Sequence, residues 1–224
     1  MKVKRNELKY YINYHDYIAL SKALSMFMTK DKYGKKGGYF IRSLYFDTLD
    51  NRSFFEKMAG VEIRAKYRLR IYDTQDKKVK FEIKNKLNNY IMKETAWISK
   101  KDALAVMDGD VECLKKYKNT TLNKIYCEFK KSKFRKAVLI DYFRDAYVYP
   151  MNNIRITFDK LLSKNSAKFD IFQDVKTIPL VNPETIILEI KYNEFIPDWI
   201  TRLIQTIRFN RSAISKYCIS RIGD

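Results

Sequence analysis

The sequence is poor in residues that interrupt regular structure, with 6 glycines and 4 prolines in 224 residues. That scarcity excludes a collagenous chain and a Pro/Gly-rich disordered one. Cysteine is scarce as well. The three cysteines, Cys113, Cys127 and Cys218, are odd in number, widely spaced and form no CxxC pair. The expectation is reduced thiols in a cytoplasmic protein, not a disulfide framework. His15 is the only histidine, so a Cys/His zinc site is not expected. A Ser-His-Asp or Cys-His triad would have to use His15, which lies in a helix-start sequence, and base and nucleophile must be placed together, so a triad is not expected. If a metal is bound, carboxylates must hold it, which favours Mg2+ or Mn2+. No apolar run approaches the ~18 residues of a membrane-spanning helix. The opening MKVKRNELKYYI lacks the apolar stretch of a signal peptide.

Positive charge, in contrast, is abundant. Lys plus Arg number 45 against 26 Asp plus Glu, a net charge of +19. A domain so charged repels itself unless its cations are spread out or meet an anion. Nucleic acid, an anionic membrane or a polyphosphorylated small molecule would each suit, as would a merely solvated basic surface. Hydrophobic residues make up 46%, enough for the core of one domain of ordinary size.

The clearest element is Ile63 to Tyr72. Ile63, Ala65, Tyr67, Leu69 and Ile71 fall on one face, and Arg64, Lys66, Arg68, Arg70 and Tyr72 on the other. This strict period of two predicts a strand. A turn sequence, DTQDKK, leads to Val79 to Lys86, where Val79, Phe81 and Ile83 oppose Lys80, Glu82, Lys84 and Lys86. The pair reads as an antiparallel hairpin. Further strands are predicted at Val3 to Ile12, Tyr39 to Asp47, Tyr90 to Ile98, Val138 to Tyr147, Ile154 to Asp159 and Thr185 to Tyr192, eight in all. Helices are predicted after Asn13, with Tyr17, Leu20, Leu24 and Phe27 as a core stripe, and after a capping box at Ser99 to Asp102, with Gly109 as its stop. Val111 to Lys131 reads as one or two basic helices. Pro197 suits the first position of a helix whose stripe is Ile200, Leu203, Ile204 and Ile207.

Chemistry is expected on the charged strand faces. Arg64, Lys66, Arg68 and Arg70 share one face with no acid among them, and like charges at this spacing cost stability unless an anion intervenes. Eight antiparallel strands are enough to close a small barrel. Alternation does not say which face is inside, so a basic tunnel and a half-open sheet with its charged face in water both remain. Glu7, Glu82 and Glu189 lie on the same faces as Lys9, Lys84 and Lys191. A few carboxylates among many cations is what a metal–phosphate site requires; each Glu could equally be an ordinary ion-pair partner.

Several stretches resemble the VTC domain, the polyphosphate polymerase module of the vacuolar transporter chaperone family. They are Arg5-Asn-Glu7-Leu-Lys9-Tyr10-Tyr-Ile12, Ile41-Arg-Ser-Leu-Tyr-Phe-Asp47-Thr48, Glu56-Lys57 with Gly60, Arg64 to Tyr72, Phe81-Glu82-Ile-Lys84, Asp141-Tyr142-Phe-Arg144-Asp-Ala-Tyr147, Arg155-Ile-Thr-Phe-Asp159, Ile187-Leu-Glu189-Ile-Lys191-Tyr192 and Arg211 to Tyr217. Their order and number carry the likeness over nearly the whole chain. The resemblance implies an α+β fold, a closed antiparallel eight-stranded β-barrel of the triphosphate tunnel (CYTH-like) type, with helices packed outside. It implies one domain over residues 1–224 with a C-terminal helical segment at about 197–222. It also implies a tunnel that binds ATP, triphosphate or polyphosphate with Mn2+ or Mg2+. By motif, Lys9, Arg68, Arg70, Lys84, Lys93, Arg144, Arg155, Lys191 and Lys216 correspond to phosphate ligands, and Arg68, Arg70 and Lys216 to catalytic groups. Glu189 corresponds to the principal metal carboxylate, with Glu7 and Glu82 as further candidates. Arg64 and Lys66 share the strand parity.

The related triphosphatase branch opens with Glu-x-Glu-x-Lys, whereas this chain reads Arg5-x-Glu7-x-Lys9. The exchange argues against a second acidic metal site and moves the reading towards a stand-alone prokaryotic VTC type, without the SPX domain and membrane helices of the eukaryotic subunits. The implied function is metal-dependent phosphoryl transfer in polyphosphate synthesis. Triphosphate hydrolysis and non-catalytic polyanion binding are the rivals, and no specific nucleic-acid partner is expected.

Overall fold

The structure, a computed structural model, describes residues 6–31, 33–34, 38–88, 90–206 and 213–222. Arg5, Ile207, Arg211 and the start of the first predicted strand lie outside these residues. The elements are β1 (Asn6–Ile12), α1 (Tyr14–Phe27), β2 (Thr29–Lys30), β3 (Tyr39–Asp47), α2 (Arg52–Met58), β4 (Ile63–Ile71), β5 (Lys78–Leu87), β6 (Tyr90–Ser99) and α3 (Lys100–Met107). They continue with a 3-10 turn at Glu112–Tyr117, α4 (Thr120–Ser132), β7 (Arg135–Tyr149), β8 (Ile154–Asn165), β9 (Ile178–Pro179), β10 (Ile186–Tyr192), α5 (Asp198–Gln205) and α6 (Lys216–Arg221).

Hydrogen bonding connects the long strands in the order β1-β10-β8-β7-β3-β4-β5-β6, and the two-residue strands β2 and β9 pair with β7 and β8. The large antiparallel sheet and the helices make the fold α+β, as expected. The closed eight-stranded barrel is not what the strands form: among the described residues no pairing joins β1 to β6. Alternation sets side-chain parity, but closure also demands matched tilt and stagger at both edges, and parity carries no information about either.

The chain divides into two compact units. The first comprises Met1–Phe40, Asp141–Ser163 and Pro179–Ser215. In it, Leu8, Ile190 and Ile156 stand abreast across β1, β10 and β8, as do Tyr10, Leu188 and Phe158. This apolar face is covered by Tyr17, Leu20 and Leu24 of α1 and by Ile200 and Ile204 of α5. Each such buried side chain contributes roughly 1.5–3 kcal/mol. Asn13 starts α1 by accepting the Asp16 N–H at 2.8 Å. Phe27, placed in the core stripe by its spacing, is 63% exposed. It is the last residue of α1, and its ring lies against Trp199 instead, 5.3 Å between centroids.

The second unit comprises Ile41–Ile140, Lys164–Ile178 and Lys216–Asp224. Its core is the predicted one: Tyr67, Leu69 and Ile71 with Val79, Phe81 and Ile83, under Ala103, Val106 and Met107 of α3 and Leu122, Ile125 and Phe129 of α4. Ile63, on the same parity at the start of β4, is exposed. Asp76 sets the β4–β5 turn by accepting the N–H groups of Tyr72 and Asp73 at 2.8 and 3.1 Å. Ser99 caps α3, accepting the Asp102 N–H at 3.1 Å, and Gly109 ends it at φ +93°.

Pro197 stands one place before its helix, as the N-cap. The C-terminal helical segment is not continuous: α5 ends at Gln205 and α6 starts at Lys216, with 213–215 non-helical. β7 and β8 both run past their predicted ends, to Tyr149 and Asn165.

Candidate functional site

The charged face of the second unit is ordered in rows by strand register. Lys66 lies opposite Lys84, which lies opposite Lys93. Three lysines therefore stand abreast on three adjacent strands, an arrangement that costs stability without an intervening anion. The next row is Tyr45, Arg68, Glu82 and Thr95, and the row beyond is Ser43, Arg70, Lys80 and Trp97. On the opposite side of the lysine row, Arg64 pairs with Lys86 and donates to the Val61 carbonyl.

Glu82 is the carboxylate between Arg68 and Thr95 in the middle row. Its Oε2 is 2.7 Å from Arg68 Nε and 3.8 Å from Arg70 Nη1, and its Oε1 is 3.1 Å from Lys93 Nζ. Burial works to raise its pKa, but Arg68, Arg70 and Lys93 outweigh burial and hold it well below the usual carboxylate range. Arg70 is itself buried and donates to Ser43 Oγ at 3.1 Å. Arg68 donates to Tyr45 Oη at 2.9 Å. Burial would raise the Tyr45 pKa, yet Arg68, Arg70 and Lys216 bring it down to about 8. The Tyr45 ring stacks on Tyr217 at 5.3 Å, and Tyr217 donates to Asp47. Lys216, the first residue of α6, is held next to this stack. Lys66 lies over the Tyr217 ring at 5.0 Å, and its Nζ is 3.6 Å from Cys218 Sγ. Burial, with Lys84 as a smaller contributor, lowers the Lys66 pKa.

The first unit has a charged face of its own. Glu7, Lys191 and Arg155 form one row and Lys9, Glu189 and Thr157 the next. Glu189 is buried. Its carboxylate lies 3.0 Å from Lys191, 3.5 Å from Lys9 and 3.8 Å from Arg144. Lys9 also reaches Glu7 at 2.8 Å and donates to the Ile214 carbonyl at 3.1 Å. Burial opposes the charged form of Glu189, but Lys191, Lys9, a hydrogen bond with Glu7 and Arg144 together push its pKa well below the carboxylate range. Burial lowers Lys191, whereas at Lys9 the carboxylates of Glu189 and Glu7 outweigh burial and raise it.

The two arginines expected as phosphate ligands in this unit hold carboxylates as well. Arg144 grips Asp159 with Nε at 2.6 Å and Nη2 at 2.8 Å, a bidentate fork. Arg155 donates to Asp31 at 2.5 Å and to Tyr39 Oη at 3.1 Å. Gly38 permits the chain to pass close by, since a Cβ there would stand 2.6 Å from the Arg144 carbonyl oxygen.

The structure thus gathers Lys9, Arg144, Lys191, Glu7 and Glu189 on one unit's face and Arg68, Arg70, Lys84, Lys93 and Glu82 on the other's, with Lys216 next to Tyr45. Arg155 is in the same row as Glu7 and Lys191, but its donors are turned to Asp31 and Tyr39. Among the described residues no three or more His, Cys, Asp or Glu gather as a metal cluster. Reading the residues missed Tyr45, Tyr217, Asp159 and Asp31. Tyr45 shares its parity with Ser43, but the two faces of its strand are chemically alike. Asp159 shares the parity of Arg155, and that was its one available signal.

The family model of the VTC domain matches residues 4–222. The chain belongs to the VTC domain family. No curated protein matches it in sequence. Among solved structures, this VTC domain is similar to a candidate adenylyl cyclase from Hippeastrum described as having a dominant triphosphatase activity. The TM-score is 0.58 at 17% identity, covering 97% of this chain and 95% of that one. A candidate adenylate cyclase from Vibrio parahaemolyticus aligns with TM-score 0.56 at 13% identity over 99% of both chains. One from Bacillus halodurans aligns at 0.53 and 13%, over 99% of this chain and 100% of that one. The VTC domain therefore shares its fold with these three proteins. No helix among its described residues is long and apolar enough to cross a membrane.

Proposed function

We propose that this VTC domain is a metal-dependent phosphoryl transferase that binds ATP and polyphosphate on its cationic strand faces and extends polyphosphate. The observation that carries the reading is the Lys66–Lys84–Lys93 row beside Arg68 and Arg70. A row of cations can neutralise the successive charges of a phosphate chain, and arginine forks can grip its oxygens bidentately. Phosphoryl transfer requires positioning and charge neutralisation more than covalent chemistry, in keeping with a chain whose single histidine, His15, is exposed on α1.

In this reading Arg68, Arg70 and Lys216 neutralise the transferring phosphoryl group, while Lys84 and Lys93 hold the neighbouring phosphates. Lys9, Lys191 and Arg144 serve phosphate oxygens on the other face, where an incoming anion competes with Asp159 for the Arg144 fork. Arg155 would have to exchange Asp31 in the same way. Glu189 and Glu7 provide two adjacent carboxylates, too few for an all-protein metal cage. They fit Mg2+ or Mn2+ together with substrate oxygens, the usual manner for Mg2+. Such a cation supplies Lewis-acid polarisation of the phosphoryl oxygens. Glu82 is the poorer metal ligand because its ion-pair partners are all cations, whereas Glu189 has a second carboxyl group, Glu7, beside it.

Hydrolysis with water as acceptor is the second reading, favoured by the triphosphatase activity described for the Hippeastrum protein that shares the fold. Incubation with ATP and Mn2+ or Mg2+ separates the readings by product: long phosphate chains for the transferase, free phosphate for the triphosphatase. Unchanged ATP would overturn both. Arg68→Ala with Arg70→Ala is expected to abolish ATP and polyphosphate binding, as followed by calorimetry. Retained affinity would move the phosphates off this face.

A further inference from the structure

Trp97 is half exposed, at 50%, on a face rich in cations. Register places it opposite Lys80, which is opposite Arg70, so all three side chains share the charged face. The strand aromatics Tyr67 and Phe81, by comparison, lie on the opposite face and are buried. A scattered exposed aromatic needs no explanation, but this one is held in a specific arrangement. Lys80 Nζ lies 4.9 Å from the Trp97 ring centroid and 4.6 Å from that of Tyr72, and it donates to Tyr72 Oη at 3.0 Å. The ammonium thus lies against both rings and restrains the indole.

The position along the strands matters as much. Trp97 is one row beyond the Arg68–Glu82 row and two rows beyond the three lysines. At strand rise these steps are about 7 and 13 Å. The shorter step is one that a ribose spans between phosphate and base.

We propose that Trp97, with Lys80 and Tyr72, is a nucleobase platform at the end of the cationic face, so that the protein holds a nucleoside triphosphate by its base as well as its phosphates. The inference rests on the phosphate reading above and adds the part of the donor that reading leaves unplaced. Stacking tolerates any base because every base has a π-face, so ATP and GTP should both profit. Bare tripolyphosphate should not. A restrained indole also loses little freedom on binding, which favours affinity.

The test compares ATP with inorganic tripolyphosphate, each with Mg2+, by calorimetry on the wild type and on Trp97→Ala. The stacking energies of single bases correspond to roughly five- to a hundredfold in affinity. Trp97→Ala is expected to weaken ATP by that factor relative to tripolyphosphate, and Trp97→Phe to restore most of the loss. In a Trp199→Phe background, where Trp97 is the only indole, ATP should quench its emission more than tripolyphosphate does. If tripolyphosphate binds the wild type but the ATP-to-tripolyphosphate ratio stays within twofold in Trp97→Ala, the platform is wrong and the phosphate site stands. If tripolyphosphate does not bind the wild type, the phosphate reading fails and the platform with it.

Discussion

Arg68 Nε lies 2.7 Å from Glu82 Oε2, and the same oxygen is 3.8 Å from Arg70 Nη1. One buried carboxylate thus aims two guanidinium groups across a face where most neighbours are cations. Glu82→Gln keeps the size and removes the charge. Breaking a buried pair by removing one partner costs about 3–5 kcal/mol, and we expect the lower part of that range because Lys93, the third partner, is half exposed. Urea denaturation should show the loss, and tripolyphosphate should raise the midpoint of the variant more than that of the wild type by replacing the missing anion. A loss below about 1 kcal/mol would mean that the arginines relax into water instead.

Glu189 holds a comparable position among Lys191, Lys9 and Arg144. Glu189→Gln is expected to abolish Mn2+- or Mg2+-dependent turnover, since a hard cation prefers a carboxylate of the same size to an amide. Turnover within a few-fold of wild type, measured over a metal titration, would make Glu189 only the ion-pair partner of its lysines. Glu7 would then be the better metal ligand.

Tyr45 offers a spectroscopic handle on the arginine pair. Its pKa of about 8 predicts a tyrosinate absorbance step near pH 8, ahead of ordinary tyrosines near 10, and absent in Tyr45→Phe. The folded state favours the phenolate, so the unfolded state binds more protons between about pH 8 and 10. Stability should therefore rise across that window, by roughly 2–3 kcal/mol in full, and be lost again as pH falls through 8. Tripolyphosphate should move the step upward, because an anion on Arg68 and Arg70 removes the charge that favours phenolate. No step below pH 9 would show that the arginines do not face the phenol in solution.

Strand parity was legible in the chain itself. Alternation at Ile63 to Tyr72 and Val79 to Lys86 predicts which residues go under helices, and Tyr67, Leu69 and Phe81 do so. Trp97 has the same parity as Lys93, so its place on the charged face was readable from the same rule. The pattern could not say which strands are neighbours, because pairing is made by residues far apart in sequence. The lysine row depends on Lys66, Lys84 and Lys93 arriving abreast, and a slip of one residue would dissolve it. Nor could it place partners such as Asp31 on Arg155 or Asp159 on Arg144, for any carboxylate of suitable reach would satisfy a guanidinium.

The sequence by itself determined the character of the clearest strands, Ile63 to Tyr72 and Val79 to Lys86: one face apolar, the other charged and mostly cationic. Tertiary structure alone decided that the strands stop short of a hydrogen-bonded ring among the described residues, that Glu82 and Glu189 are buried beside their cations, and that Arg68 lies over the Tyr45 ring and donates to its hydroxyl. The reason is physical. Side-chain parity follows from the two-residue repeat of the backbone, whereas register, burial and pKa depend on what other strands and helices bring alongside.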